Sequence, residues 1–433
     1  MRSVRLKDLE PEDVLRIKQR AAGAFESVSD RAKAIMDEVR KRGDEAVREY
    51  TAKLDGVTLE NFEVSRAELE QAYNEADPEL LDAMRQIIRN LTKFHSTHVK
   101  PEEEHVQTEE GIELWRVWRP IERVGLYVPG GKSPLPSSLL MTAVPASIAG
   151  CHEIVVCTPP NKEGKIPGVI AAAAHLLNLP NMRVFKIGGA QAIAAMAYGT
   201  ASVPKAYKVF GAGNPYVTAA KMIAFGQGMV NIDMPAGPSE VLIIADESAN
   251  PAYAAADFLS QAEHADDSAS ILLTTSPKLA EEVAREVAHQ LPLLHTADRA
   301  SNSLEQFGLI AVVDSIEEAI EFANDYAPEH LEVCTENAEE VLTRLNNAGT
   351  IFIGNYTPEP SGDYVSGLNH VLPTGANTKM FGPLSVESFG KKMQVQRMTL
   401  AGLAAIRKSA EIIAAAEGLP AHGRAVNIRF DEK

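Results

Sequence analysis

The chain has little of what would tie it to a membrane, a disulfide framework or a nucleic acid. Its 433 residues include three cysteines, Cys151, Cys157 and Cys334. None belongs to a CxxC pair, which excludes a thiolate zinc cage and argues against a cross-linked secreted scaffold. A reducing cytoplasm is the expected setting. No run of about 18 consecutive apolar residues occurs, so no membrane-spanning helix is expected. The opening MRSVRLKDLEPEDVLR mixes charges and lacks the apolar centre of a secretory signal. Positive charge is also short: 42 Lys and Arg against 59 Asp and Glu leave a formal charge of −17. Such a surface repels polyanions and excludes nucleic acid as a general partner.

Complete phosphate-binding fingerprints are missing as well. GGKS at 130–133 resembles the end of a P-loop, but the required first glycine falls on Leu126. GAGNPY at 211–216 supplies the first two glycines of GxGxxG and then ends in Tyr216. GGAQA at 188–192 sits where a strand hands over to a helix, and its amides could meet a phosphate. The same glycines could equally make tight turns only. A nucleotide is permitted and not required.

What is present is ordinary globular composition, 45% hydrophobic and 23% charged, at a length that favours two or three domains. The first hundred residues read as helices. Ala32, Ile35, Met36 and Val39 recur at helical spacing, and Gly43 separates that helix from one opening at Asp44. Ser65 and Glu68 form a capping box, and Asp77-Pro78 marks another start. The polar stretch from about 95 to 112 suggests a surface connection. From residue 120, β-branched runs alternate with Ala-rich helices: RVGLYV, EIVVCTP, RVFKIGG and KVFGAGN, then SEVLIIAD, SASILLTT, GLIAVVD, LEVCTEN and TIFIGN. This alternation predicts an α/β fold with mainly parallel sheets. The runs fall into two sets, with MPAGPSE at 234–240 as a hinge. After about 378 no further strand is expected, and an extended helical C-terminal tail follows.

Four polar patches could carry chemistry. AYAAADFLSQAEH, 252–264, reads as a helix whose last turn bears Gln261 and His264 on one face. An imidazole nitrogen and an amide oxygen suit a divalent metal, although such a pair more often makes surface hydrogen bonds. The loop-like PEPSGDYVSGLNHVLPTG, 358–375, carries Asp363 and His370 after a strand, though Asp363 could simply form a turn. APEHLEVC puts Glu329 and His330 just before a strand. They could be a helix-start acid and a solvated imidazole, or a general acid/base couple. AAAEGLPAHGRAV, 414–426, ends a helix at Gly418 and presents Glu417 and His422 around a turn. The cysteines lie in apolar runs without basic neighbours, so inert packing is favoured over a thiolate nucleophile.

Taken together, GLYVPGG, GGAQAIAAMAYGT, DMPAGPSEVL, LSQAEH, APEHLE, SGDYVSGLNHVLPT and AAAEGLPAH resemble, in order, the histidinol dehydrogenase family, from about residue 20 to the C-terminus. The resemblance implies zinc held by Gln261, His264, Asp363 and His422, and proton chemistry by Glu329 and His330. It implies substrate contacts by Ser239, His370 and Glu417, joined by His330 and the metal ligands, and NAD contacts by Tyr127, Gln191 and Asn214. It also implies a homodimer whose C-terminal segment crosses into the partner's site. The expected division is 1–118 with 236–377 as one Rossmann-like module, 119–235 as a second, each incomplete, and 378–433 as the crossing tail. The chain departs from the family's usual pattern at GAGN, 211–214, at Ala265-Asp266-Asp267 after QAEH, and in the loop 375–390. None of these removes a ligand.

The resemblance implies oxidation of L-histidinol through the aldehyde to L-histidine with two NAD. His330 would take the alcohol proton and Glu329 would activate water for the aldehyde hydrate. Two other readings are open: a single-step zinc/NAD dehydrogenase of another small polar alcohol, and a zinc-held ligand sensor without catalysis. Retention of Glu417 and His370 favours histidinol over the first. The Glu329-His330 pair, useless to a sensor, speaks against the second.

Overall fold

The computed structural model describes residues 2–18, 26–97, 103–130, 134–235 and 237–431. The P-loop-like residues 131–133 and Ala236 of the hinge lie outside them. Its strands are β1 (Arg2–Arg5), β2 (Val106–Glu109), β3 (Ile112–Pro120), β4 (Arg123–Tyr127), β5 (Glu153–Thr158), β6 (Met182–Lys186) and β7 (Lys208–Phe210). They continue with β8 (Asn231–Ile232), β9 (Glu240–Ala245), β10 (Ala269–Thr274), β11 (Gly308–Val312), β12 (His330–Cys334), β13 (Thr350–Ile353) and β14 (Gly390–Met398). All nine β-branched runs picked from the sequence are strands.

They form two parallel sheets. The first has the order β6-β5-β4-β7-β8, and the second the order β1-β11-β10-β9-β12-β13. Without β1, both follow the same Rossmann-like progression: three strands built outward in one direction, then two in the other. Burial on both faces explains the continuous apolar strands. In β5, Ile154 and Val156 join one core while Val155 and Cys157 join the core on the opposite face. In β9, Val241 and Ile243 point to one side and Leu242 and Ile244 to the other. The helices Glu26–Arg42, Asp44–Leu54, Arg66–Glu75 and Pro78–His95 pack around the first sheet. Their boundaries are chemical: Ser65 and Glu68 close a reciprocal capping box, and Asp77 caps a helix with Pro78 at its first position.

Three expectations need correction. Arg2–Arg5 is a strand, not part of the helical region; it pairs in parallel with β11, more than 300 residues away. The polar stretch near 95–112 ends in β2, which turns back onto β3. Strands also do not stop at 378, because β14 pairs antiparallel with β3 along nine residues, from Gly390 opposite Pro120 to Met398 opposite Ile112. β14 is polar and mostly exposed, so no apolar alternation announces it; backbone pairing alone sets its course. Beyond it, helices Leu400–Ala416 and Pro420–Asn427 pack on each other. They bury only Gly402 and Ala414, while Leu400, Ile412, Ile413, Leu419 and Ile428 stay exposed.

One turn fixes the first sheet's reversal point. Gly211 follows β7 at φ +113, and a Cβ there would lie 2.1 Å from the Tyr127 carbonyl oxygen. Buried Lys221 holds this turn: its Nζ donates to the Gly211 carbonyl at 2.9 Å and pairs with Asp233, which accepts the Gly211 N–H at 2.8 Å. Gly211→Ala should therefore cost at least about 2 kcal/mol, lowering the thermal midpoint by roughly 5 °C or more. A midpoint within about 1 °C of the parent, read by calorimetry, would mean that the turn yields freely.

Candidate active site and metal centre

At the carboxyl edge of the first sheet, β4 ends at Tyr127 and the strand order reverses, leaving the crevice where such folds take ligands. The Tyr127 hydroxyl accepts the Gly189 N–H at 3.1 Å, at the start of helix Gly189–Tyr198. Asn214 caps helix Pro215–Gly226, its Oδ1 accepting the Val217 N–H at 3.1 Å. Gln191 is buried, and its Nε2 donates to Asp55 at 3.3 Å. These residues line a cavity of about 1100 Å³ that extends to His264. Burial pushes the Tyr127 phenol up to about 12, which keeps it a neutral hydroxyl.

The second group gathers at the amino edge of the other sheet. Glu329 precedes β12, His330 begins it, Glu240 begins β9, and Gln261 lies in the last turn before β10. Helix Pro251–Ala262 ends before His264, so the two QAEH side chains do not share one helix face as expected. Gln261 is fully buried, and its Oε1 lies 3.1 Å from His330 Nδ1. His264 stands in the following turn, turned toward Asp363 and Glu359. Asp363 is not in a loop but on the short helix Glu359–Tyr364.

His330 is the hub. Its Nδ1 faces the Glu240 carbonyl at 3.1 Å as well as Gln261, which places the Nδ1 proton between two acceptors. Its Nε2 lies 3.4 Å from Asp363 Oδ1 and 3.7 Å from Glu359 Oε1, and Glu329 Oε2 is 3.7 Å from Nδ1. Burial would lower this imidazole, but Glu329, Asp363 and Glu359 outweigh it and hold the group up at about 10. Burial raises Glu329 to about 8 against the opposing pull of His330, and raises Glu359 to about 7. Asp363 is the exception. Burial would raise it, but the adjacent His330 imidazole, aided by His370 and His264, holds it at about 2.

The donor set fits a divalent cation. Ligand atoms of His264, Glu359 and Asp363 lie within 4.8 Å of one another, the one such trio among the described residues. Among the described residues, buried Gln261 Nε2, His330 Nε2 and Glu359 Oε1 have no hydrogen-bond partner, a costly arrangement in a dry site unless something else engages it. Gln261 stands as a further oxygen donor at the edge of this space, its Oε1 turned to His330 Nδ1. Oxygen and nitrogen donors without thiolate suit zinc with open positions.

His370 adjoins the trio: Nδ1 contacts the Asp363 carbonyl at 3.0 Å and Nε2 the Ser138 hydroxyl at 3.2 Å. Ser239 is half-buried immediately before β9, its carbonyl accepting the Ala269 N–H. Glu417 and His422 are exposed on the tail and do not join the trio; His422 sits within helix Pro420–Asn427 rather than on a turn. Sequence reasoning passed over Glu359, though it lies four residues before Asp363, one helical turn away. Asp55 and Glu240 were also missed. The cysteines are buried, with thiols pushed up by desolvation, to about 12 for Cys151 and Cys334, as inert packing requires.

The family model described as "Histidinol dehydrogenase" matches residues 18–430. Relatives under that name include one from Bacteroides fragilis, 49% identical over 94% of both chains. Another, from Methanosarcina mazei, is 43% identical over 98% of this chain and 97% of its own. Among solved structures, histidinol dehydrogenase from Elizabethkingia anophelis superposes with a TM-score of 0.93 at 40% identity, covering 99% of this chain and 98% of that one.

Asp55 gives the cavity a measurable signature. Burial raises its carboxyl from 3.8 to about 6, with Gln191 opposing. The folded state thus binds this proton more tightly than the unfolded chain does. Stability falls as pH rises from about 4 to about 6 and stays lower above that. Asp55→Asn keeps an acceptor for Gln191 and removes the charge. It should stabilise the protein on the order of 1 kcal/mol near pH 8, after discounting for solvent screening, and much less near pH 4.5. Equal gains at both pH values would assign the effect to packing.

Proposed function

The chain belongs to the histidinol dehydrogenase family of NAD-dependent oxidoreductases, and from that premise we propose that it oxidises L-histidinol through L-histidinaldehyde to L-histidine, ending histidine biosynthesis in the cytoplasm. The observation that carries this reading is a buried proton-transfer pair, Glu329 and His330, beside a His264/Glu359/Asp363 trio. The trio borders the large cavity lined by Tyr127, Gln191 and Asn214. No helix among the described residues is long and apolar enough to cross a membrane.

In this reading Gln261, His264 and Asp363 hold zinc, with Glu359 within reach. Zinc, when bound, supplies a positively charged anchor for the substrate's imidazole and amine, and NAD supplies the hydride acceptor for each of two oxidations. Tyr127, Gln191 and Asn214 line the dinucleotide's place, while Ser239 and His370 stand near enough to the cluster to hold the substrate. His330 keeps its Nδ1 proton on the Glu240 carbonyl and presents Nε2 toward the reacting hydroxyl, whose proton it takes. Glu329, raised by burial, takes a proton from the water that adds to the aldehyde.

The dimer completes the set. The tail's row of exposed Ile412, Ile413, Leu419 and Ile428 is unusual for a free surface. We assign it to a partner subunit, with Glu417 on the substrate and His422 on the metal of the neighbouring site. Residues 378–433 then form the crossing segment, and the expected grouping of 1–118 with 236–377 is divided: β1 joins the module of 236–377, while helices Glu26–Arg42 through Pro78–His95 rest on the module of 119–235. A single-step dehydrogenase of another polar alcohol is the competing reading, since the loop 375–390 departs from the family's usual pattern.

Two experiments test this. Prolonged chelation should abolish NADH formation from histidinol and added zinc should restore it, with about two NADH per histidinol consumed. One NADH per substrate would select the single-step reading, and full activity in verified metal-free protein would remove the metal's role. Inactive His264→Ala and His422→Ala, refolded together, should recover up to about a quarter of the parent activity, because about half the dimers are mixed and each has one intact site. No recovery in demonstrated mixed dimers would mean that His422 serves its own chain.

A further inference from the structure

Glu240 is fully buried at the first position of β9, beside Glu329 at the point where the β9–β12 ladder begins. Its N–H, carbonyl and Oε2 meet the proton-transfer pair. Its N–H donates to Glu329 Oε2 at 3.0 Å, and its own Oε2 accepts the Glu329 N–H at 3.3 Å. Each glutamate thus braces the other's backbone. Glu240 Oε1 accepts the Gly375 N–H at 2.6 Å, and the nearby Gly237 N–H reaches the Thr374 hydroxyl. Those contacts pin the end of the segment that carries His370.

This arrangement is expensive as mere structure. Two carboxyl groups side by side in a dry interior repel, and Glu240 is one reason the Glu329 carboxyl is hard to ionise. A neutral side chain would avoid that cost but could not do the same work. A carboxylate presents two acceptors to two backbone donors, whereas an amide presents one acceptor and turns its NH₂ against the other donor.

We propose that the Glu240 side chain is a positioning group for the proton-transfer pair: through Oε2 on the Glu329 N–H it holds the backbone from which the Glu329 carboxylate projects, keeping that carboxylate seated on the Glu240 N–H that any residue at 240 would offer, and through Oε1 on the Gly375 N–H it locks the His370 segment alongside. Glu329 Oε2 is committed to the Glu240 N–H, and Oε1 makes no hydrogen bond among the described residues. Oε1 is the oxygen left to receive the proton of the attacking water. His330 depends on the Glu240 carbonyl, which any side chain at 240 retains. The inference rests on the roles given above to Glu329 and His330, and it makes the aldehyde step more sensitive to Glu240 than the alcohol step.

The test uses the full-length holoenzyme, with histidinol and histidinaldehyde supplied separately. Glu240→Gln should lower kcat for aldehyde oxidation about ten-fold or more, leave KM for NAD within about two-fold, and slow alcohol oxidation less. In a Glu329→Gln background the same change should cost less than about two-fold, because the group it positions is already gone. An equal multiplicative loss in both backgrounds overturns the inference and leaves Glu240 a structural residue. Undiminished aldehyde oxidation in Glu329→Gln alone sinks the role of Glu329 and this inference with it, a different and distinguishable failure. Should Glu240→Gln not fold, Glu240→Asp keeps the charge but cannot reach both donors, and the same pattern is expected of it.

Discussion

A single imidazole ringed by carboxyl groups governs the catalytic half of this molecule. His330 is buried with Glu329, Glu359 and Asp363 within 4 Å of its nitrogens. Burying one charge is costly, and burying several is tolerated only where opposite charges and hydrogen bonds match them. The cluster meets this by dividing its carboxyl groups. Asp363 keeps its charge against His330, while Glu329 and Glu359 resist ionising near neutrality. A divalent cation on Asp363 and Glu359 would offset two of the three carboxyl groups that hold a proton on His330, leaving Glu329 as its partner. The acidity that makes the chain alone awkward is what suits it to a loaded site.

The two sheets share a strand order and use it differently. The first follows the familiar rule, opening its cavity at the carboxyl edge where β4 and β7 diverge. The second gathers its acids at the amino edge, where β9 and β12 start. This edge is available because the QAEH segment ends helix Pro251–Ala262 just before β10 begins, and because helix Glu359–Tyr364 returns over β12, its first N–H held by buried Glu332. One module's top thus meets the other's bottom, and His264 stands at the junction as part of both the trio and the cavity wall.

The legible parts of the sequence were those with a local cause. β-branched runs buried on both faces announced nine strands, and caps such as Ser65 and Asp77 announced helix starts. What stayed hidden depends on distant partners. β14 is polar and is a strand only because β3 lies beside it. Glu240 looks like any acid at a strand start until β12 is placed next to it. Glu359 was obscured by Pro358, Pro360 and Gly362, which read as a loop although the segment makes a helical turn. The motif resemblance named residues that the structure brings together, Gln261, His330 and Asp363. It could not by itself reveal that Glu359 stands with them, or that Glu417 and His422 stay exposed within one chain.

The pairing of β1 with β11 and of β3 with β14 has a consequence for how the protein is born. The ribosome releases β1 before β11, and the strand that β1 pairs with ends at Val312. At bacterial-like elongation rates that partner emerges roughly 15 to 60 seconds later. β3 waits nearly as long, holding β2 until Met398 is free. The first sheet, contained within residues 123–232, can close in the meantime and give helices Glu26–Arg42 through Pro78–His95 a surface to rest on. The nascent chain therefore carries two unfilled strand edges through most of its synthesis. Charged side chains there, Arg5 and Lys7 beside β1 and Arg116 and Arg119 on β3, discourage a neighbouring nascent chain from filling them first.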